Sequence, residues 1–308
     1  MKIILSPAKK MNNNEPCGSF GQPVFELAHE NRSAQKETLC HNEHRDEAER
    51  NRGAGLVTKP QFIDQTEEIL AWLRSKSHEE LKTLWKCNDK IAEQNFDRLA
   101  YMDLHSRLTP AVLSYEGIAF QYMAPAVFRQ ACVGRSGGPS EAETGQFDYV
   151  QEHLRILSAF YGVLKPMDGV TPYRLEMQAK AAIGESKNLY DLWGSRLYEA
   201  VRDDSRIIIN LASKEYSKCI EKYLTDSDRY ITITFVEMAK GKLVTKGTYA
   251  KMARGEMVRF MAENQIEDPM EIQGFDRLGY VFRKDLSSDV EYVFERIPAK
   301  NEIKDDFE

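Results

Sequence analysis

The stretch HLRILSAFYGVLKPMDGVTPYRLEM, residues 153–177, decides how the middle of this 308-residue chain is built. Leu154, Ile156, Leu157, Phe160, Tyr161 and Leu164 recur at helical spacing, which predicts a helix over 148–164. Pro166 ends it, because proline donates no amide hydrogen and disfavours helix in the residue before it. Pro172 then leads straight into Tyr-Arg-Leu-Glu. Two readings of that rigid turn stand. Either Arg174 and Glu176 merely pair with each other at a helix end, or the turn presents them to a ligand, as tightly controlled loops tend to do.

Around this stretch the elements read as an α/β order. Residues 3–5 (IIL) form a strand broken at Pro7, and helices follow over 61–76, 79–86 and 89–100. A helix over 190–201 precedes IIIN (207–210), whose unbroken apolar character suits a central strand covered on both faces. A helix over 214–223 comes next. The stretch 229–249 alternates and turns at Lys240-Gly241, as a hairpin does. A helix over 248–264 and strands near 279–283 and 291–296 close the pattern. With strands and helices interspersed and no linker, a single α/β domain over 1–308 is expected, a mixed sheet with surrounding helices. Two insertions (29–56 and 125–145) and a loose acidic tail (298–308) interrupt it.

Composition narrows the function classes. Hydrophobic residues make up 42% of the chain, enough for a sizeable core, yet no run nears the ~20 apolar residues of a membrane span. MKIILSPAKK is too short in its apolar block for a signal peptide. Five scattered cysteines form no CxxC pair, which reads as a reduced, cytoplasmic protein. Lysine and arginine number 42 against 48 acids, a net charge of −6, so the chain as a whole does not advertise nucleic acid. Cys40, His41 and His44 stand close in sequence, but without a second ligand pair they specify no metal site. No metal and no cofactor are expected.

Three stretches carry polar chemistry. IILSPAKK delivers Ser6, Lys9 and Lys10 at the end of a buried strand. In IIINLASKEY, Asn210 ends a strand and Ser213 is placed to cap the next helix, where backbone amides favour anions. On the helix within 246–264, Ala250, Ala253, Met257, Phe260 and Met261 gather on one side. Lys251, Arg254 and Arg259 fall on the other, with Gly255 near the middle of that basic face. A mid-helix glycine costs about 1 kcal/mol against alanine. It is kept where something bulky comes close, a phosphate backbone or another helix.

Taken in order, SPAKK, HLRILSAFYGVLKPMD, PYRLEM, LYDLW, IINLASKEYSK, YAKMARGEMVRF and GYVF resemble the YaaA family of peroxide-stress proteins. The likeness runs from residue 1 to about 296, interrupted mainly by the two insertions. It implies an α/β fold with a basic cleft and a helix-hairpin-helix element, binding to DNA, and a part in keeping free iron low under hydrogen peroxide. Carried over to this chain, Lys9, Lys10, Lys90, Arg174, Lys251, Arg254 and Arg259 would meet nucleic acid. Ser6, Arg155, Tyr173, Glu176, Asn210 and Ser213 would line the cleft. The hairpin falls on 79–95, two short helices about Lys86-Cys87-Asn88; it carries no glycine, and a plain helical turn capped by Asn88 also fits.

Two classes of function follow. One is a non-enzymatic DNA-binding protein of oxidative defence. The other is an enzyme acting on a nucleic-acid base or nucleotide, with Glu176 as acid/base and lysines holding phosphate, although no known catalytic motif is present. A direct iron-binding protein ranks behind both, because the six histidines are scattered.

Overall fold

The computed structural model describes residues 1–12, 57–124 and 141–297, with side chains from 145 onward in the last stretch. The expected insertion 29–56, the Cys40–His41–His44 group, most of the second insertion and the tail 298–308 lie outside these residues. A strand, β1 (Lys2–Leu5), opens the fold. Helices α1 (Ile63–Arg74), α2 (His78–Trp85) and α3 (Asp89–Tyr101) follow. Next come β2 (Thr109–Pro110), α4 (Ala111–Ser114), α5 (Ile118–Met123) and α6 (Glu141–His153). The middle of the chain holds β3 (Leu154–Ser158), β4 (Gly162–Leu164), β5 (Gly169–Val170), α7 (Leu189–Trp193) and α8 (Arg196–Val201). The remainder is β6 (Ile207–Asn210), α9 (Lys214–Glu221), β7 (Arg229–Ala239), β8 (Lys242–Val244), α10 (Gly247–Glu263), β9 (Tyr280–Phe282) and β10 (Glu291–Arg296). None of the described helices is long and apolar enough to cross a membrane.

Eight strands form one mixed sheet in the order β4-β3-β1-β6-β7-β10-β9, with β8 folded back on β7. The five inner strands, β3 to β10 in that order, are parallel, and antiparallel β4 and β9 close the edges. From β1 the chain moves to β3 on one side, then crosses back to β6 on the other. The carboxyl ends of β1 and β6 therefore flank a reversal of strand order, where α/β sheets open a crevice. The β7–β8 hairpin turns at Lys240 and Gly241 with positive φ at both, the geometry that matches strand twist.

The stretch at 153–177 departs from the expected helix. The helix ends at His153, and Leu154–Ser158 passes into the sheet beside β1, pairing Ile3 with Leu154 and Leu5 with Ile156. All five residues of β3 are buried, and a strand covered on both faces carries no alternation by which to tell it from a core helix. Three residues then turn into β4. Ser158 Oγ accepts the amides of Phe160 (3.1 Å) and Tyr161 (2.9 Å), and Gly162 sits at φ +78°. A Cβ there would lie 2.8 Å from both Phe62 and Trp193, so the turn admits glycine alone. The expected helix 190–201 is likewise two short ones, parted at Gly194 (φ +52°).

Candidate functional site

The crevice at the carboxyl ends of β1 and β6 holds a cavity of about 510 Å³. The loop after β1 (Ser6 to Lys10) forms one wall, and the start of α9 another. Segment 173–176, α5, and Lys251 and Arg254 of α10 complete the lining. Proline at 7 takes the chain out of the sheet, which is why the SPAKK loop arches over the opening. Ser6 Oγ accepts the amide of Ser213 (2.7 Å) and donates to Ser213 Oγ (3.1 Å), tying the two strand ends together. The first turn of α9 opens onto the cavity through Ser213, Glu215 and Tyr216.

Charge gathers here as it does not in the chain at large. Five cationic side chains (Lys9, Lys10, Arg174, Lys251 and Arg254) face three carboxylates (Glu116, Glu176 and Glu215). Lys9 Nζ lies 2.9 Å from Glu176 Oε1 and Lys10 Nζ 2.6 Å from Glu116 Oε2. Arg174 Nη2 lies 3.5 Å from Glu176 Oε1 and donates to the carbonyl of Trp85 (3.3 Å), the last residue of α2. Arg174 and Glu176 thus pair with each other, and both line the cavity. Arg254 differs. Its Nε is buried without a hydrogen bond, and it forms no ion pair among the described residues. Burial disfavours its charged form and lowers its pKa, yet a guanidinium keeps its proton.

The floor is aromatic. Tyr173 and Tyr216, with Phe120, line the cavity and are buried. Tyr173 OH is held between Ser158 Oγ (2.7 Å) and Tyr115 OH (2.9 Å), and burial pushes its pKa up to about 12. Burial raises the Tyr216 phenol as well. Both hydroxyls stay protonated at neutral pH.

Of the residues singled out from sequence, Ser6, Lys9, Lys10, Tyr173, Arg174, Glu176, Ser213, Lys251 and Arg254 line this cavity. Asn210 does not line it; it is buried beneath, its Oδ1 accepting the amide of Ala212 (2.9 Å). Arg155, carried by strand instead of helix, belongs to a different cavity at the other end of β1 and β3. Lys90 lies in the first turn of α3, outside the lining. Arg259 also lies outside it, donating to Glu263 (2.6 Å), which Arg277 shares.

Gly255 turns away from the opening. It is buried, and a Cβ on it would sit 2.0 Å from the Ala119 carbonyl oxygen and 2.9 Å from the Met123 amide, both backbone atoms of α5. The close neighbour is therefore another helix. Sequence reading missed α5, whose packing against α10 shapes the cavity wall. Gly117, just before α5, gives a parallel hint: a Cβ there would meet Ala8 at 2.6 Å. Two glycines thus seat α5 between the SPAKK loop and α10.

Comparison with known proteins agrees with this frame. The family described as peroxide stress protein YaaA matches residues 1–286. A UPF0246 protein of Agathobacter rectalis is 71% identical over 240 residues, covering 78% of this chain and 91% of its own length. One from Lachnoclostridium phytofermentans is 50% identical over 247 residues, covering 80% and 91%. One from Desulfitobacterium hafniense is 42% identical over 300 residues, covering 97% and 100%. With a match over nearly its whole length and relatives this similar, the chain belongs to the YaaA family of peroxide stress proteins.

Proposed function

We propose that the protein binds DNA through the cleft at the ends of β1 and β6, and in peroxide stress helps limit free iron and the DNA damage it drives. The observation that carries the binding half is Arg254. Arg254 is half-buried, its Nε is buried without a hydrogen bond, and its guanidinium lines the cavity without an ion pair among the described residues, an arrangement that favours an anionic partner. A phosphate entering a cavity where cations outnumber carboxylates would supply the missing partner. Lys251, exposed and in no ion pair among the described residues, would hold a neighbouring phosphate at the rim.

The α2–α3 hairpin supports a second contact on the same reading. Lys86 takes the left-handed conformation between the helices, and Asn88 Oδ1 caps α3 by accepting the amide of Ile91 (3.0 Å). Arg174 reaches α2 through the Trp85 carbonyl, so the hairpin borders the cleft. A helix-hairpin-helix role would place a backbone phosphate at the start of α3 near Lys90. Iron would then be affected indirectly, through DNA.

One observation favours the enzyme reading. Glu176 sits in a cavity large enough for a nucleobase, over an aromatic floor, held between Lys9 and Arg174. Such a carboxylate could act as acid or base on a base turned into the cavity.

Fluorescence anisotropy with duplex, bubble and single-stranded DNA over a salt series tests the main reading. Affinity is expected to fall with salt at a log–log slope of about −0.9 per phosphate contact. The double change Lys251→Gln and Arg254→Gln is expected to flatten that slope by about 2 and to weaken all sequences alike. No binding at low salt, or an unaltered slope in the double variant, would refute it.

A further inference from the structure

A second cavity, of about 440 Å³, opens at the amino ends of β1 and β3, the far end of those strands from the DNA cleft proposed above. Arg155 lies in its lining. It is only 6% exposed, and its two hydrogen bonds both leave from Nη1, to the carbonyls of Leu154 (2.8 Å) and Gln151 (3.3 Å). Nε and Nη2 have no partner among the described residues. More than half of its fork of donors is therefore left to meet a ligand that enters the cavity.

The surroundings say what that would be. Lys59 and Lys165 lie exposed in the same lining and form no ion pair among the described residues. The other two cations are already matched: Lys2 by Glu152 and Asp203, and Arg202 by Glu199. Asp168 is the one carboxylate in the lining, and its oxygens are taken by Thr58 Oγ1 (2.6 Å) and the amide of Lys165 (2.8 Å). Three unpaired cations against one occupied carboxylate leave two positive charges, which match a dianion better than a carboxylate. The volume exceeds several-fold what a lone phosphate occupies, so the ligand has a body. Gln61 and Gln151 line the remaining space, and Gln151 accepts the Met167 amide through Oε1, which leaves its amide hydrogens to donate. A hydroxyl-rich body fits those groups.

We propose that this cavity binds a small phosphorylated polyol of the sugar-phosphate class, its phosphate gripped by Arg155 with Lys59 and Lys165 at the rim. The residue is one that resemblance alone would have put in the DNA cleft. The strand geometry of 154–158 takes it to the opposite end of the sheet.

Isothermal titration of the full chain with ribose 5-phosphate, inorganic phosphate and ribose tests this. Ribose 5-phosphate is expected to bind one per chain, phosphate more weakly, and ribose not measurably. Arg155→Met, which keeps the length of the side chain, is expected to cost at least about tenfold in affinity. Because a buried substitution can disturb folding, the rim variant Lys59→Ala/Lys165→Ala gives a second reading, with a loss of the same order expected. Arg254→Gln, in the other cavity, is expected to leave ribose 5-phosphate binding unchanged while weakening DNA. Ribose binding as well as its phosphate, or affinity untouched by both second-cavity variants, would overturn the proposal. So would loss of sugar-phosphate binding on Arg254→Gln. If Arg155→Met or the rim variant instead lowered the DNA salt slope with no sugar phosphate bound, the cavity would be a DNA contact and the proposal would fail.

Discussion

Replacing Gly255 by alanine sets two effects of opposite sign against each other. On an exposed helix the change would stabilise by about 1 kcal/mol, since alanine loses less backbone freedom on folding. Here the new Cβ would lie 2.0 Å from the Ala119 oxygen, a separation that real Cβ atoms essentially never show. Relief needs at least about 1 Å of movement, and both obstructing atoms are main chain, so α5 must shift as a unit. Overpacking of this kind costs about 1–3 kcal/mol, at the upper end where backbone moves. The expected net loss is about 2 kcal/mol. Urea unfolding monitored by fluorescence measures it, with Lys251→Ala, exposed on the same helix, as the reference expected to stay within about 0.5 kcal/mol of the parent. Equal or greater stability in Gly255→Ala would refute the helix-on-helix account. Gly255→Leu, attractive as a probe of ligand approach when the residue is read on a basic face, would report on the seating of α5 before it reported on DNA.

Other outcomes follow from single residues. Burial raises the Asp168 carboxyl to about 6, above the roughly 3.9 of an unfolded chain. Its contribution to stability is therefore whole below about pH 4 and is lost as pH rises through 6, up to about 3 kcal/mol in all. Asp168→Asn should show its gain over the parent growing from pH 4 to pH 8 in urea titrations, and a constant difference would contradict this. Glu176→Gln removes a negative charge beside Lys9 and Arg174; the DNA-binding reading expects tighter DNA affinity and retained protection of peroxide-challenged cells. Lost protection with DNA affinity intact would favour an enzyme. Arg259→Gln, whose guanidinium is held by Glu263, should leave the DNA salt slope unchanged in the anisotropy assay. Ser6→Ala strips the Ser213 amide of its acceptor and is expected to cost about 1 kcal/mol by urea unfolding.

Much of the frame is legible in residue order because local chemistry decides it. IIIN becomes the inner strand β6 since unbroken apolar character suits a doubly covered strand, and Lys240-Gly241 turns because glycine tolerates positive φ. The same physics misleads at 154–164. A strand buried on both faces and a core helix are both apolar throughout, and only pairing with β1, some 150 residues away in sequence, separates them. The error passed on to Arg155, since its side chain goes where its backbone does. In the cleft, the loop and turn residues were readable because proline fixes where each leaves its element. At Gly255 the close approach was readable, with another helix as one of two candidates, but not which helix; the ion-paired setting of Arg259 was not readable. Which side of α10 meets α5 and which meets Arg277 depends on tertiary partners that spacing along one helix cannot show.

The position of β1 has a consequence for biosynthesis. In the sheet β1 lies between β3 and β6, so it leaves the ribosome roughly 150 and 200 residues ahead of its two neighbours. Through that interval IIL, buried on both faces in the finished protein, has none of its native strand partners. Pairings this distant in sequence fold slowly, because chain entropy is spent before any contact repays it. Nascent chains of this topology should therefore engage chaperones early and become protease-resistant only after β6 has emerged.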